Sequence, residues 1–221
     1  MRMTKCNRDA VAPMTKKSVI KSAYLLQLKH GTFSAQELAT ATGKLESFSL
    51  KRLLSEKLVR KSKRRGRFTL SEKGRGQLTV VLAGGVYDVI HLGHLAALSE
   101  ARKLGDVLLV MVASDSTVVK FKQHQPTFPQ EDRRMLVEAL KAVDAALAGY
   151  EDVGAGFERV LLEVRPDIVA LGHDQGYLDA MVHAADRKHR LDLKVVRLAR
   201  FDRAKYVSSA KVKKAGFQLA D

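Results

Sequence analysis

The sequence predicts an α/β protein in which a larger domain, built on a parallel sheet with helices on both faces, follows a small and strongly basic helical domain. Three observations support this fold class. From residue 78 onwards, short apolar segments alternate with helical patterns, which is typical of a covered parallel sheet. Residues 1–78 contain 19 Lys and Arg against 5 Asp and Glu, whereas residues 79–221 contain 20 against 19. A glycine-rich turn follows the first apolar segment, at the edge where parallel sheets bind their ligands.

Length and composition limit the classes of protein to consider. A chain of 221 residues suits one large or two small domains. We expect a flexible tail over residues 1–14, a small domain over 15–77 and a larger domain over 78–221. No apolar segment approaches the roughly 20 residues that span a bilayer, and no apolar core follows the basic N-terminus as in a secretory signal. The single cysteine excludes an internal disulfide, so we expect a cytoplasmic protein without membrane contacts.

The small domain is predicted to contain three helices and a hairpin. Ser34 and Glu37 form a capping-box pattern, which marks the start of the second helix. Four leucines between residues 50 and 58 recur at helical spacing and predict the buried face of the third helix. The predicted helices cover Thr15–Leu28, the residues after Ser34, and Leu45–Leu58. Two short strands are predicted around a basic glycine turn within Val59–Leu70.

This order of elements resembles a winged helix-turn-helix domain, and the resemblance implies that the small domain binds double-stranded DNA. The third helix of such domains enters the major groove, and its predicted base-reading residues are Ser47, Lys51 and Ser55. Phosphates or a minor groove would be contacted by the hairpin residues Lys63, Arg64, Arg65 and Arg67. The concentration of positive charge favours a polyanionic partner. The alternative is a helical domain that packs against the larger one or mediates a homodimer.

The larger domain is predicted to alternate strands and helices. The predicted strands are Leu78–Ala83, Val107–Ala113, Ala145–Ala148, Asp167–Leu171 and Lys194–Leu198. The predicted helices are Leu95–Leu104, Gln130–Ala142, Phe157–Val164 and Leu178–Arg190. Ligands of such sheets bind outside the carboxyl ends of the strands. The glycine-rich turn follows the first of these ends.

The turn carries the most specific pattern of the chain, G-G-V-Y-D-V-I-H-L-G-H over residues 84–94. Glycines let the backbone approach a phosphate closely, and the free amides at a helix N-terminus favour anions. His91 and His94 lie where that helix begins, so their imidazoles can donate hydrogen bonds to a phosphate whose charge rises during transfer. Two histidines could also ligate zinc. Since no third ligand lies nearby at a typical spacing, we predict no metal site formed by the protein itself.

The pattern resembles the H-x-G-H signature of the cytidylyltransferase-like nucleotidyltransferases, and its G-G-V-Y-D form is most similar to archaeal FAD synthetases. The resemblance implies a Rossmann-like domain in which an acceptor phosphate attacks the α-phosphorus of a nucleoside triphosphate in line and pyrophosphate leaves. It implies that His91 and His94 stabilise the transition state and that a divalent cation, Mg²⁺, arrives with the nucleotide. The turn residues expected to bind the nucleotide are Gly85, Val86, Tyr87, Asp88, Leu92 and Gly93.

Further segments match the family pattern in the same order, and they extend the resemblance over residues 79–215. Lys120 resembles a catalytic lysine that contacts the triphosphate, with Lys122 beside it, in a segment that we expect to be mobile. A flexible ammonium group can follow charge as it moves onto pyrophosphate. Arg133 lies in an E-x-R helix, where it either binds the nucleotide or pairs with a carboxylate.

Two segments nearer the C-terminus complete the resemblance. Asp174 and Gln175 follow the fourth strand, and a carboxylate there can accept hydrogen bonds from a ribose or a base. Ser208 and Ser209 match the start of a helix rich in hydroxyl groups, which would hold the leaving phosphates.

The resemblance favours transfer of AMP from ATP to FMN, with FAD and pyrophosphate as products. The chain lacks the R-T-E-G-I-S-T form of the cytidylyltransferases that act on glycerol phosphate. The alternative is CTP-dependent transfer to another phosphorylated acceptor, a small alcohol such as glycerol 3-phosphate. A third alternative is a DNA-binding regulator whose larger domain only senses a nucleotide.

Overall fold

The structure is a computed structural model that describes residues 15–43, 50–201 and 212. The chain divides into two compact units, Met1–Leu78 and Thr79–Asp221, which we call the N-terminal and the C-terminal unit. Among the described residues, no helix combines the length and apolar character needed to cross a bilayer.

The N-terminal unit combines short helices with a two-stranded antiparallel sheet. Its elements are α1 (Lys16–His30), α2 (Ala35–Thr42), α3 (Leu50–Ser55), β1 (Val59–Lys61), β2 (Phe68–Leu70) and α4 (Glu72–Arg75). The capping box predicted at Ser34 is present, because its hydroxyl accepts from the Glu37 amide at 3.1 Å and the Glu37 carboxylate accepts from the Ser34 amide at 2.7 Å. Gly66 has a φ of +71° in the turn between the strands, a conformation that favours glycine. The first half of the predicted third helix, including Ser47, lies outside the described residues.

Arg67, which was predicted to contact DNA, is hydrogen-bonded within the N-terminal unit. Its guanidinium donates to the Thr32 carbonyl at 2.6 Å, to the Thr32 hydroxyl at 3.0 Å and to the Glu37 carboxylate at 2.8 Å. These bonds join the hairpin to the start of α2 and neutralise the charge of Arg67. The side chain therefore stabilises the N-terminal unit, and its contact with DNA stays a prediction.

The C-terminal unit confirms the predicted parallel α/β fold. Its elements are β3 (Val80–Gly85), α5 (Leu92–Arg102), β4 (Val107–Val112), α6 (Asp115–Lys122), α7 (Gln130–Glu138), β5 (Ala145–Ala148), α8 (Val153–Val164), β6 (Ile168–Leu171), α9 (Gly176–His189) and β7 (Lys194–Arg197). All five predicted strands are present, and they form one parallel sheet in the order β5-β4-β3-β6-β7.

The strand order places a ligand crevice beside β3. The chain runs from β3 outwards through β4 to β5, and then returns to the other side of β3 through β6 and β7. The connections after β3 and β6 therefore leave the sheet in opposite directions, and this opens a crevice at the carboxyl ends of these neighbouring strands. The H-x-G-H turn follows β3, and the segment with Asp174 and Gln175 follows β6.

Helix α6 corrects one prediction. Lys120 and Lys122 were expected in a mobile segment, but they lie in the last turn of this helix. Ser114 caps the helix by accepting from the Thr117 amide at 3.1 Å, and Val118 is completely buried beneath it. The cap and the buried valine hold a segment whose threonine and valines are only modest helix formers.

The side chain of Arg133 joins several loops at the carboxyl edge of the sheet. It is fully buried on α7, and its guanidinium donates to the carbonyls of Val86, Phe128 at 2.9 Å and Ala113 at 2.8 Å. It also forms an ion pair with Asp115 at 2.7 Å. A buried guanidinium is stable only when its donors are bonded. Arg133 therefore pairs with a carboxylate, and its predicted contact with the nucleotide is replaced by a positioning role.

We expect Arg133→Met to lower the free energy of unfolding by about 3 kcal/mol, because it leaves three carbonyls and Asp115 without their shared donor. Arg134→Met is the matched control on the next residue of α7. Arg134 pairs with Glu131 and Glu138 near the surface, and removal of such pairs costs at most about 1 kcal/mol. Guanidinium unfolding of the full chain, followed by circular dichroism, measures both. Equal losses in the two variants would contradict the role of Arg133.

Candidate active site

The turn between β3 and α5 is shaped by Tyr87. This residue adopts a left-handed backbone conformation, with a φ of +53°, and its ring is buried. The ring folds back against Gly85, where an added Cβ would lie 2.8 Å from a ring carbon. On its other side it contacts the His94 ring, with 5.0 Å between the ring centroids. Gly85 thus makes room for Tyr87, and Tyr87 supports a histidine rather than offering its own hydroxyl to a ligand.

The two histidines form a stacked pair at the N-terminus of α5. His91 is the N-cap residue, and its carbonyl accepts from the His94 amide at 2.9 Å. The ring centroids lie 3.8 Å apart, with 23° between the planes. The Nδ1 atoms of both rings are buried without a hydrogen-bond partner among the described residues. The first-turn amides and the imidazoles together provide the donors that an anionic phosphate requires.

Burial makes both imidazoles neutral in the free protein. It lowers the pKa of His91 below its ordinary value. The pKa of His94 falls to about 4, mainly because of burial and then because of repulsion from a charged His91, while Asp174 acts in the opposite direction. A negative phosphate at this position would favour protonation of the pair. The site can therefore gain positive charge only as a polyanion arrives.

Asp88 positions the neighbouring loop instead of binding the nucleotide. The carboxylate is buried and accepts from the Thr127 amide at 2.6 Å, the Phe128 amide at 3.2 Å and the Thr127 hydroxyl at 3.2 Å. These bonds tie the H-x-G-H turn to the segment that precedes α7. Asp88 therefore holds the turn in place, and its contact with the nucleotide stays a prediction.

Gln175 has a similar positioning role. Its side-chain oxygen accepts from the Gly172 amide at 2.7 Å, and its side-chain nitrogen donates to the Gly84 carbonyl at 2.8 Å. The amide thus connects the loop after β6 to the end of β3, and its contact with the nucleotide stays a prediction. Asp174, by contrast, is exposed beside this bridge and acts electrostatically on His94.

The other predicted site residues lie in the H-x-G-H region, on α6 or outside the described residues. Val86, Leu92 and Gly93 belong to the turn itself, and the Val86 carbonyl accepts from Arg133. Lys120 and Lys122 are exposed on α6. Ser208 and Ser209 fall outside the described residues. Within residues 15–43, 50–201 and 212, no group of three or more His, Cys, Asp or Glu could hold a metal ion.

Sequence reasoning missed an aromatic cleft beside the turn. Phe121 on α6 and Tyr177 on α9 belong to its lining, together with Gly84 and Gly85. The sequence contains no signal for this cleft, because an isolated aromatic residue on a helix is read as part of a core.

Comparison with known proteins agrees with the geometry. A family model described as cytidylyltransferase-like matches residues 82–215. A protein named FAD synthase from Aciduliprofundum boonei is 45% identical over 121 residues, which cover 55% of this chain and 78% of that protein. The FAD synthase of Thermococcus onnurineus is 42% identical over 137 residues, covering 61% and 90% of the two chains.

A solved structure also matches the C-terminal unit. It is described as the lipopolysaccharide core biosynthesis protein from Thermoplasma volcanium GSS1, and the superposition has a TM-score of 0.52 at 38% sequence identity. The match covers 57% of this chain and 99% of that chain. The comparisons confirm the resemblance inferred from the H-x-G-H turn.

The lowered pKa of His94 predicts an acid-dependent loss of stability. Above pH 6.5 the imidazole is neutral in both the folded and the unfolded chain, so its full contribution is present. Between pH 6.5 and pH 4 the unfolded chain binds a proton that the folded chain excludes, and the free energy of unfolding falls by up to about 3 kcal/mol.

Guanidinium unfolding of the wild type and of His94→Gln between pH 7 and pH 4.5 measures this effect. As the pH falls over this range, we expect the free energy of unfolding of the wild type to decrease by about 2–3 kcal/mol more than that of His94→Gln. The control is His183→Gln, at an exposed histidine on α9. A constant difference between the wild type and His94→Gln across this range would show that His94 titrates normally.

Proposed function

The chain belongs to the cytidylyltransferase-like family, and from this premise we propose that its C-terminal unit transfers AMP from ATP to FMN, giving FAD and pyrophosphate. The observation that carries the proposal is the stacked His91–His94 pair at the N-terminus of α5, with buried and unpartnered Nδ1 atoms. The relatives named FAD synthase support the choice of ATP and FMN. The protein is accordingly a nucleotidyltransferase.

The reaction is an in-line displacement at phosphorus. An oxygen of the FMN phosphate attacks the α-phosphorus of ATP, a new P–O bond forms, and the bond to the β-phosphate breaks so that pyrophosphate leaves. Negative charge grows on the α-phosphate oxygens in the transition state. His91, His94 and the first-turn amides of α5 donate hydrogen bonds to these oxygens, and such donors act most strongly where charge develops.

Several residues prepare the site without touching the reacting atoms. Arg133 and Asp88 hold the turn that carries the histidines, and Gln175 connects this turn to the loop after β6. Lys120 and Lys122 contact the departing phosphates from α6, and Asp174 binds the nucleoside. A divalent cation carried with ATP would supply neutralisation of the triphosphate charge.

The full chain should form FAD from ATP and FMN, and a substrate panel measures this. ATP and CTP are each combined with FMN and with glycerol 3-phosphate, in the presence of Mg²⁺, and pyrophosphate release is followed. We expect turnover with ATP and FMN. We expect this turnover to disappear when EDTA removes the cation. Turnover only with CTP would contradict the flavin acceptor and support the cytidylyltransferase alternative.

Variants of the histidine pair test the mechanism in the same assay. His91→Ala and His94→Ala should each lower kcat by about 100-fold or more, because each removes a donor to the transition state. His183→Ala, which changes an exposed histidine on α9, should retain wild-type turnover. Near-normal turnover in the double variant His91→Ala/His94→Ala would exclude the proposed role of the pair.

We propose a second function, binding of duplex DNA, for the N-terminal unit. Lys63, Arg64 and Arg65 are exposed in the hairpin turn, and no ion pair to a described residue involves their side chains. Lys51 and Ser55 are exposed on α3, whereas Leu53 faces the core. The Glu37 carboxylate pairs with Arg67, and the Glu56 carboxylate pairs with Lys16 and Arg52, so neither is paired with Lys63, Arg64 or Arg65.

Salt dependence measures this binding. Fluorescence anisotropy with a labelled duplex should show an affinity that falls steeply with salt, since bound phosphates release counterions. The triple variant Lys63→Ala/Arg64→Ala/Arg65→Ala should flatten the slope by up to about three units. The control removes three exposed cations of the C-terminal unit, with Lys141→Ala, Arg187→Ala and Lys194→Ala. An equal effect of both triple variants, or no binding at low salt, would favour a packing or dimerisation role.

A further inference from the structure

An apolar cleft lies at the carboxyl ends of β3, β4 and β5, next to the turn that carries the histidine pair. It is partly open to solvent, and its exposed lining is mainly apolar. Small residues form part of its surface, namely Gly84, Gly85, Ala113 and Gly149. Larger side chains complete the lining, namely Met111, Thr117, Phe121, Tyr150, Phe157, Tyr177 and Leu178.

Two aromatic side chains of this lining are exposed. Phe121 is 48% and Tyr177 55% accessible to solvent, whereas Val118 on α6 and Leu178 on α9 are buried. Their rings stack on each other, with 5.6 Å between the centroids and 23° between the planes. Large apolar side chains exposed side by side at a cleft are typical of a ligand-binding surface. Their parallel planes favour a flat aromatic ligand.

The polar groups of the cleft are largely occupied. The Gly84 carbonyl accepts from Gln175 at 2.8 Å, and the Gly149 carbonyl accepts from Gln130 at 2.8 Å. The Tyr150 hydroxyl donates to the Glu163 carboxylate, with oxygen distances of 3.1 and 3.2 Å. The cleft thus offers few free polar partners, and its main contact surface is formed by the aromatic faces of Phe121 and Tyr177.

We infer that the cleft binds the isoalloxazine ring of the FMN acceptor, stacked on Tyr177 and in contact with Phe121. The inference rests on the proposed function, and it names the two side chains that select a flavin over a small phosphorylated alcohol. The flavin ring replaces the contact between Phe121 and Tyr177. Gly84 and Gly85 border both the cleft and the H-x-G-H turn, so the flavin's phosphate tail extends towards the histidine pair.

Binding of lumiflavin, which carries the ring system without a phosphate, tests this inference in the full chain without ATP. Quenching of flavin fluorescence reports the binding. We expect Phe121→Ala and Tyr177→Ala each to weaken the Kd by about three- to tenfold, as the loss of one aromatic contact predicts. Tyr177→Phe should retain the affinity within about twofold, because the ring remains. Leu162→Ala, at an exposed residue of α8 outside the cleft, is the matched control.

Steady-state kinetics of FAD formation separate this inference from the proposed function. Phe121→Ala and Tyr177→Ala should raise the KM for FMN by a similar three- to tenfold, with the KM for ATP unchanged. If the wild type forms FAD but both alanine variants leave the lumiflavin Kd and the KM for FMN unchanged, the inference is overturned and the proposed function stands. If lumiflavin binds as expected but no FAD forms, the cleft is a flavin site and the proposed function fails.

Discussion

The buried guanidinium of Arg133 is the interaction on which the geometry of the C-terminal unit depends. It bonds to carbonyls that follow β3 and β4, to the carbonyl of Phe128 before α7, and to the carboxylate of Asp115 in the first turn of α6. A buried charge of this kind tolerates no unbonded donor, so these segments keep one arrangement relative to each other. The turn that presents His91 and His94 is one of them. The site is thus organised by a residue whose own side chain is fully buried.

The same principle, that burial changes the free energy of a charge, governs the histidine pair. Two imidazoles stacked 3.8 Å apart and partly removed from water cannot both be protonated easily. The free site therefore carries little positive charge of its own, and the exposed Lys120 and Lys122 supply mobile charge from α6. A bound triphosphate favours the protonated form of both rings, so the site then gains positive charge. The C-terminal unit has a net formal charge near zero, and it can still act on a highly charged substrate.

The charge of the chain is concentrated elsewhere. Residues 1–78 hold 19 cationic against 5 acidic residues, and the family match begins only at residue 82. The basic unit therefore lies outside the part of the chain that resembles nucleotidyltransferases. A separate polyanionic partner accounts for this division of charge better than a requirement of the enzyme does.

The sequence by itself determined the five strands, most of the helices, the helix cap at Ser34 and the H-x-G-H turn. All of these depend on hydrophobic periodicity or on hydrogen bonds between residues a few positions apart. Only the tertiary structure decided that Arg133, Asp88 and Gln175 position loops, because each of them bonds to a residue 39 to 91 positions away. It also decided that Lys120 lies on a helix and that Phe121 meets Tyr177. Burial and long-range pairing set the pKa of His94 and the shape of the cleft, and neither can be read from local spacing.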